Sequence, residues 1–152
     1  MLAAMANYAV ELQRTASTTQ SVGNVTAPAA SMRRIKVYDI VFGSEGAVAD
    51  NPFLWSWQRC TTTGTRTSQT PTPLDPADAA CVATAGDNHS AEPTYTAGGI
   101  LLNISLNQRA TFRWVAAPGG ELVIPATANN GIGAQTTVSG AVLVTTTVHF
   151  QE

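Results

Sequence analysis

A chain of 152 residues with 44% hydrophobic content is sized for one domain with a sizeable apolar core. Only 12% of the residues are charged and the formal net charge is -2. That balance argues against the basic stripe of a nucleic-acid binder and the polybasic patch of a peripheral membrane protein, and no run approaches the ~18 apolar residues of a membrane helix.

The opening residues, Met1-Leu2-Ala3-Ala4-Met5-Ala6, are apolar. They carry no cationic lead and are soon interrupted by Glu11 and Arg14, so a secretory signal is not expected. They read as an N-terminal arm over residues 1–8, ahead of a single sandwich domain over residues 9–152. Tyr8, Val10 and Leu12 alternate with Ala9, Glu11 and Gln13, which predicts a first strand. Thr15 to Ala30 reads as a Thr/Ser/Ala/Gly loop with a brief strand around Val22 to Thr26. From Arg33 to Phe42 the pattern is strongly β. Its apolar positions begin odd (Ile35, Val37) and end even (Ile40, Phe42), which calls for a bulge or a change of sheet near Asp39.

After a turn at Asp50-Asn51-Pro52, the residues Phe53, Trp55 and Trp57 share one face of a strand and form the expected heart of the core. Asp75 to Gly86 predicts the one helix: Asp75 as cap, Pro76 at the first helical position, alanines in the body and Gly86 as a stop. Asp87 to Gly99 reads as a loop, and Ile100, Leu102, Ile104 and Leu106 as a strand. Arg109 to Pro125 predicts a β-hairpin closed by a type II turn at Pro118-Gly119, with Phe112 and Trp114 inward and Arg109 and Arg113 outward. Thr127 to Thr137, with Asn129-Asn130-Gly131-Ile132-Gly133, reads as an exposed loop. Val142, Val144, Val148 and Phe150 line one face of the last strand. About eight strands, one short helix and long loops predict an all-β, jelly-roll-like antiparallel β-sandwich.

Chemistry is sparse. The two histidines are far apart, and His89, in Asp87-Asn88-His89-Ser90-Ala91-Glu92, reads as an exposed loop residue with no second histidine at metal-ligand spacing. His149 falls on the outward face of the last strand. Cys60 and Cys81 could be bridged, but two cysteines are weak evidence for a disulfide framework, and without an export signal the reading as two reduced, buried thiols is favoured. Cys60 could be a nucleophile only if the fold brought a histidine to it. No Gly-x-Ser-x-Gly elbow or phosphate-binding glycine pattern occurs. No catalytic residue, metal or cofactor is expected. Low charge suits a surface that is covered in the working state, since interface cores are depleted in Lys, Glu and Asp, and it equally suits a neutral polar surface.

Arg33 to Glu45, Leu74 to Ala80, Gln108 to Glu121 and Ala128 to Gly131 carry strings that resemble small head decoration, or cement, proteins of tailed bacteriophages. The likeness runs over most of the chain from about Tyr8. It implies a jelly-roll-like body on the outer surface of a capsid, made in the host cytoplasm. There it would bind the major capsid protein, self-associate as a homotrimer and stabilise the shell by bridging capsomers. Under this reading the partner-binding residues are Met1, Leu2, Met5 and Tyr8 of the arm, Arg33 and Arg34, Arg109 and Arg113, and Asn129, Asn130 and Ile132. The other function the residues allow is a carbohydrate-binding sandwich or a phage tail accessory domain, with Trp55 or Trp57 exposed as a stacking platform.

Overall fold

Two-residue alternation recurs along most of the chain, and the backbone follows it. The computed structural model describes residues 5–30 and 33–152, and among those residues it has twelve strands and no helix. In chain order they are β1 (Asn7–Ala16), β2 (Gln20–Thr26), β3 (Ile35–Glu45), β4 (Pro52–Cys60), β5 (Thr65–Gln69), β6 (Thr72–Pro73), β7 (Thr84–Ala91), β8 (Tyr95–Asn107), β9 (Phe112–Val115), β10 (Leu122–Ile124), β11 (Gly131–Val138) and β12 (Val142–Gln151).

Two antiparallel sheets face each other. One runs β10-β3-β12-β1-β6, with β9 also on β3, and the other runs β5-β7-β2-β11-β4-β8. Outside the β5–β7 insertion the chain passes from one sheet to the other at each step except from β4 to β8, which pair with each other, and from β9 to β10. The first strand pairs with the last along its whole length, from Asn7 opposite Gln151 to Ala16 opposite Val142. With β9 and β10 counted as one broken strand, this is the order of a jelly roll. β5, β6 and β7 are an insertion between β4 and β8. They extend both sheets on one side, β6 beside β1 and β7 with β5 beside β2.

The core lies where the inward positions meet. Tyr8, Val10 and Leu12 of β1, Ile40 and Phe42 of β3, and Val144, Val148 and Phe150 of β12 face Phe53, Trp55 and Trp57 of β4 across the sandwich, and all are buried. Trp55 and Trp57 stack with ring centroids 6.5 Å apart, and Phe42 sits 4.9 Å from Trp55. The aromatic strand is therefore the heart of the core, as its alternation predicts.

The bulge also falls where the parity switch requires. His149 pairs with Asp39 and Phe150 with Val37, which leaves Tyr38 as the extra residue on β3. Asp39 is turned outward by the bulge yet buried, and Arg113 from β9 covers it, its Nη2 2.5 Å from Oδ2 and its Nε 3.0 Å from Oδ1. These hydrogen bonds hold the Asp39 carboxyl below the usual carboxylate range despite its burial. A depressed carboxylate pKa contributes stability above about pH 4 that is lost as pH falls through the folded-state value. Thermal melts at neutral and acid pH check this: the acid loss of melting temperature is expected to be smaller in Asp39→Asn than in the natural protein.

Four expectations need correction. Asp75 to Gly86 is not a helix. Asp75 does make the local turn its type favours, accepting from Ala77 N at 2.9 Å and, through its carbonyl, from Asp78 N at 3.0 Å. An Ala-rich segment buries too little to carry a short helix further, and β7 captures the backbone from Thr84. The Arg109 to Pro125 run is not a hairpin either. β9 pairs with Asp39 to Phe42 and β10 with Ile35 to Val37, both on the same edge of β3. The Pro118-Gly119 turn forms, with Gly120 N donating to Ala117 O at 2.7 Å and Gly119 at φ 81°, but it makes an excursion from one broken edge strand.

The Thr127 to Thr137 loop is mostly β11, a central strand between β2 and β4. Its glycines serve close packing, since a Cβ on Gly131 would lie 2.3 Å from the Val25 carbonyl oxygen and one on Gly133 2.8 Å from the Tyr95 hydroxyl. Likewise His89 stands in β7 and is buried. The brief strand expected around Val22 to Thr26 is β2, which begins at Gln20.

Candidate interaction surfaces

Strand polarity gathers several of the expected contact residues at one end of the sandwich. Met5 precedes β1, Arg33 and Arg34 precede β3, and Asn129 and Asn130 precede β11. The strand ends there are tied by Ala27 N donating to Asn130 O at 2.8 Å and by Arg59 Nη1 donating to Val123 O at 2.8 Å. Met5 is 44% exposed, Arg33, Arg34 and Asn129 are exposed, and Asn130 is half-buried. Asn129 takes φ 62°, a left-handed conformation that asparagine tolerates and that turns the chain into β11.

Arg33 approaches Glu152 at 4.0 Å while remaining largely in solvent. Glu152 itself is committed to the fold, its carboxylate accepting from Val82 N at 2.7 Å and Ala83 N at 2.9 Å. Met1 and Leu2 lie outside the described residues.

The other expected contacts fall elsewhere. Tyr8 belongs to β1, stacked on Phe150 at 5.7 Å and donating to Ala79 O at 3.0 Å, and Ile132 is 1% exposed in β11. Neither can meet a partner, because each is an inward position of a strand. Arg109 pairs with Asp50 at 2.7 Å at the opposite end, and Arg113 lies on the outer face of the β3 sheet over Asp39.

No activated nucleophile forms from the cysteines. Cys60 and Cys81 are both free thiols. Burial pushes Cys60 up to about 11 and Cys81 up to about 12, the latter helped by the Glu152 charge, so both stay protonated at neutral pH. Cys60 receives a long hydrogen bond from Asn24 Nδ2 at 3.8 Å and none from an imidazole. His89 Nε2 lies 3.2 Å from Thr63 O, which makes that nitrogen the donor, and burial lowers its pKa. Its Nδ1 is buried without a partner among the described residues.

The two segments beside these groups, residues 61–64 and 92–94, cross the outer face of β2. They bring a polar cluster with them: Glu92 accepts from the Ser21 amide and hydroxyl, and Arg66 donates to Asn24 and Thr84.

A polar cleft of about 440 Å³ opens at the corner between β1 and the insertion, lined by Gln13, Arg14, Thr67, Gln69, Asp87 and Asn88. Its charged groups join the sheets. Asp87 Oδ2 accepts from Gln13 N and Oδ1 from Gln69 Nε2, each at 3.0 Å, and Arg14 Nη1 donates to Ser21 O at 2.9 Å and His89 O at 2.8 Å. Among the described residues no three His, Cys, Asp or Glu side chains converge as a metal site.

The tryptophan platform also requires correction. Trp55 and Trp57 are enclosed in the core, and Trp114 packs half-buried against it. What sequence reasoning passed over is the open edge of β8, whose strand it placed only over Ile100 to Leu106. β8 is a 13-residue strand paired on one side only among the described residues, and its signal was visible in the absence of any charge or proline from Tyr95 to Asn107. Neither a model of a known protein family nor a curated protein matches the chain.

Proposed function

We propose that the chain is a structural virion protein, a head decoration (cement) protein that binds the outer surface of a tailed-phage capsid, with the major capsid protein as partner and self-association on the shell. One observation carries the reading. Many of the chain's few charged groups are spent inside the jelly roll, Arg14, Arg66, Asp87 and Glu152 on internal hydrogen bonds and Asp39 under Arg113. The outside is rich in Thr, Asn, Gln and Ser with scattered charges of both signs, and the exposed Met5, Arg33, Arg34 and Asn129 gather at one end. Such a surface favours a lasting contact, where each copy adds modest binding and symmetry multiplies it. The jelly roll alone does not decide the matter, because one fold hosts many functions.

The test removes the arm without touching the ladder. Ala6 O accepts from Glu152 N and Asn7 opens β1, so the deletion stops at Met5. Removing residues 1–5 is expected to leave the melting temperature unchanged and to lower occupancy of purified heads several-fold, read by gel densitometry of sedimented particles. Equal occupancy by the two forms would overturn the assignment of the arm.

A further inference from the structure

We propose that β8 is a two-fold self-association edge, at which a second copy of this chain adds its own β8 antiparallel and joins the two sandwiches through one continuous sheet.

The fold blunts every other sheet edge. β6 is two residues long and the stretch of β1 beyond it carries Glu11 and Arg14, β5 is five residues with a register shift beside Arg66, and the β9–β10 edge is broken by the Pro118-Gly119 excursion. An open edge is a template for another strand, and proteins guard theirs with charges, prolines, bulges or short length. β8 is long, has neither charge nor proline, and no described strand pairs with its far side. Its irregularities are confined to the stretch before Leu102, and from Leu102 opposite Trp57 to Asn107 opposite Pro52 the ladder is regular.

The sequence of that regular stretch identifies the occupant. Leu102-Asn103-Ile104-Ser105-Leu106 is symmetric in character about Ile104. In an antiparallel pair of two copies centred on Ile104, Leu102 faces Leu106, Asn103 faces Ser105 and Ile104 faces itself, and each contact occurs twice by symmetry. Leu102, Ile104 and Leu106 lie on the core side, opposite Trp57, Trp55 and Phe53, and all three are only partly buried. A second copy would cover this rim of both cores. Asn103 and Ser105 lie on the outer, polar side, where Ser56 donates to Asn103 at 2.5 Å. A foreign strand would gain the backbone bonds but would have no reason to match this symmetry. The inference stands apart from the capsid reading, since it concerns the protein in solution, and it gives a two-fold contact rather than the three-fold one the phage resemblance implies.

Sedimentation velocity over a concentration series tests it. An edge of this length is a small interface, so dimer is expected to build up at micromolar concentration. Asn103→Lys/Ser105→Lys changes only exposed positions and sets ammonium groups against each other across the seam. It is expected to raise the midpoint concentration by about tenfold or more. Asn103→Lys/Ser105→Glu places the new ammonium opposite the new carboxylate of the other copy and is expected to return the midpoint to near the natural value. Circular dichroism confirms that both variants are folded. A monomer at all concentrations, a trimer, or a midpoint insensitive to the paired lysines would overturn the inference.

Discussion

Trp55→Ala is expected to destabilise the protein by about 4 kcal/mol, a large part of the total stability of a domain this size. The side chain is fully enclosed, stacked on Trp57, tilted against Phe42 and edge-on to Phe53. Truncation removes contacts from both sheets at once, and the rings around it are too large to collapse into the space. Urea unfolding followed by the fluorescence of the remaining tryptophans should show a midpoint shifted far down, with little change in slope. Trp114→Ala is the control. Trp114 is half-buried on the edge strand β9, so its truncation is expected to cost about half as much or less. Similar losses at the two sites would mean that the core is not centred on the β4 aromatics.

Glu152→Ala should be the next largest effect, about 3 kcal/mol. The Glu152 side chain is 1% exposed, and its carboxylate accepts from the adjacent amides of Val82 and Ala83 as β7 is about to begin. Removing it orphans two backbone donors, one of them fully buried, and loosens the joint between the insertion and β12. Glu152→Gln keeps one acceptor oxygen and should fall between the two. The urea midpoint gives the size of the loss, and faster hydrogen exchange at Val82 and Ala83 its location. Unchanged exchange at those amides in Glu152→Ala would contradict the assigned role.

Much of the fold was legible because two-residue alternation is a strong signal when inward residues are large. Tyr8 to Leu12, Phe53 to Trp57 and Val142 to Phe150 announced themselves in this way, and the parity change located the bulge to within one residue, near Asp39 where the extra residue is Tyr38. The failures have physical causes too. Gly131 and Gly133 look like loop residues, but they are strand positions where neighbouring backbone and Tyr95 leave no room for a Cβ. Asp75 and Pro76 signal a helix start, and the local turn does form, but nothing in the following alanines outweighs the ladder that begins at Thr84. The Pro118-Gly119 turn formed without a hairpin because turn chemistry is local, whereas the choice of strand partner is not. Of the surface, the end carrying Met5, Arg33, Arg34 and Asn129 could be suggested from sequence. Which polar groups were already committed inside, such as Glu152, Arg66 and Asp87, could not, since their partners lie 18 to 74 positions away in the chain.

The measurement closest to the central claim is saturation binding to heads. Increasing amounts of the purified protein are mixed with isolated heads of the phage proposed to encode it, stripped of any endogenous copy, and pelleted. The capsid reading predicts co-sedimentation that saturates at a fixed ratio to the major shell protein, with saturated heads resisting heat-induced opening better than bare ones. Protein that stays in the supernatant at every concentration, or that pellets without saturation and without protecting the heads, would contradict it.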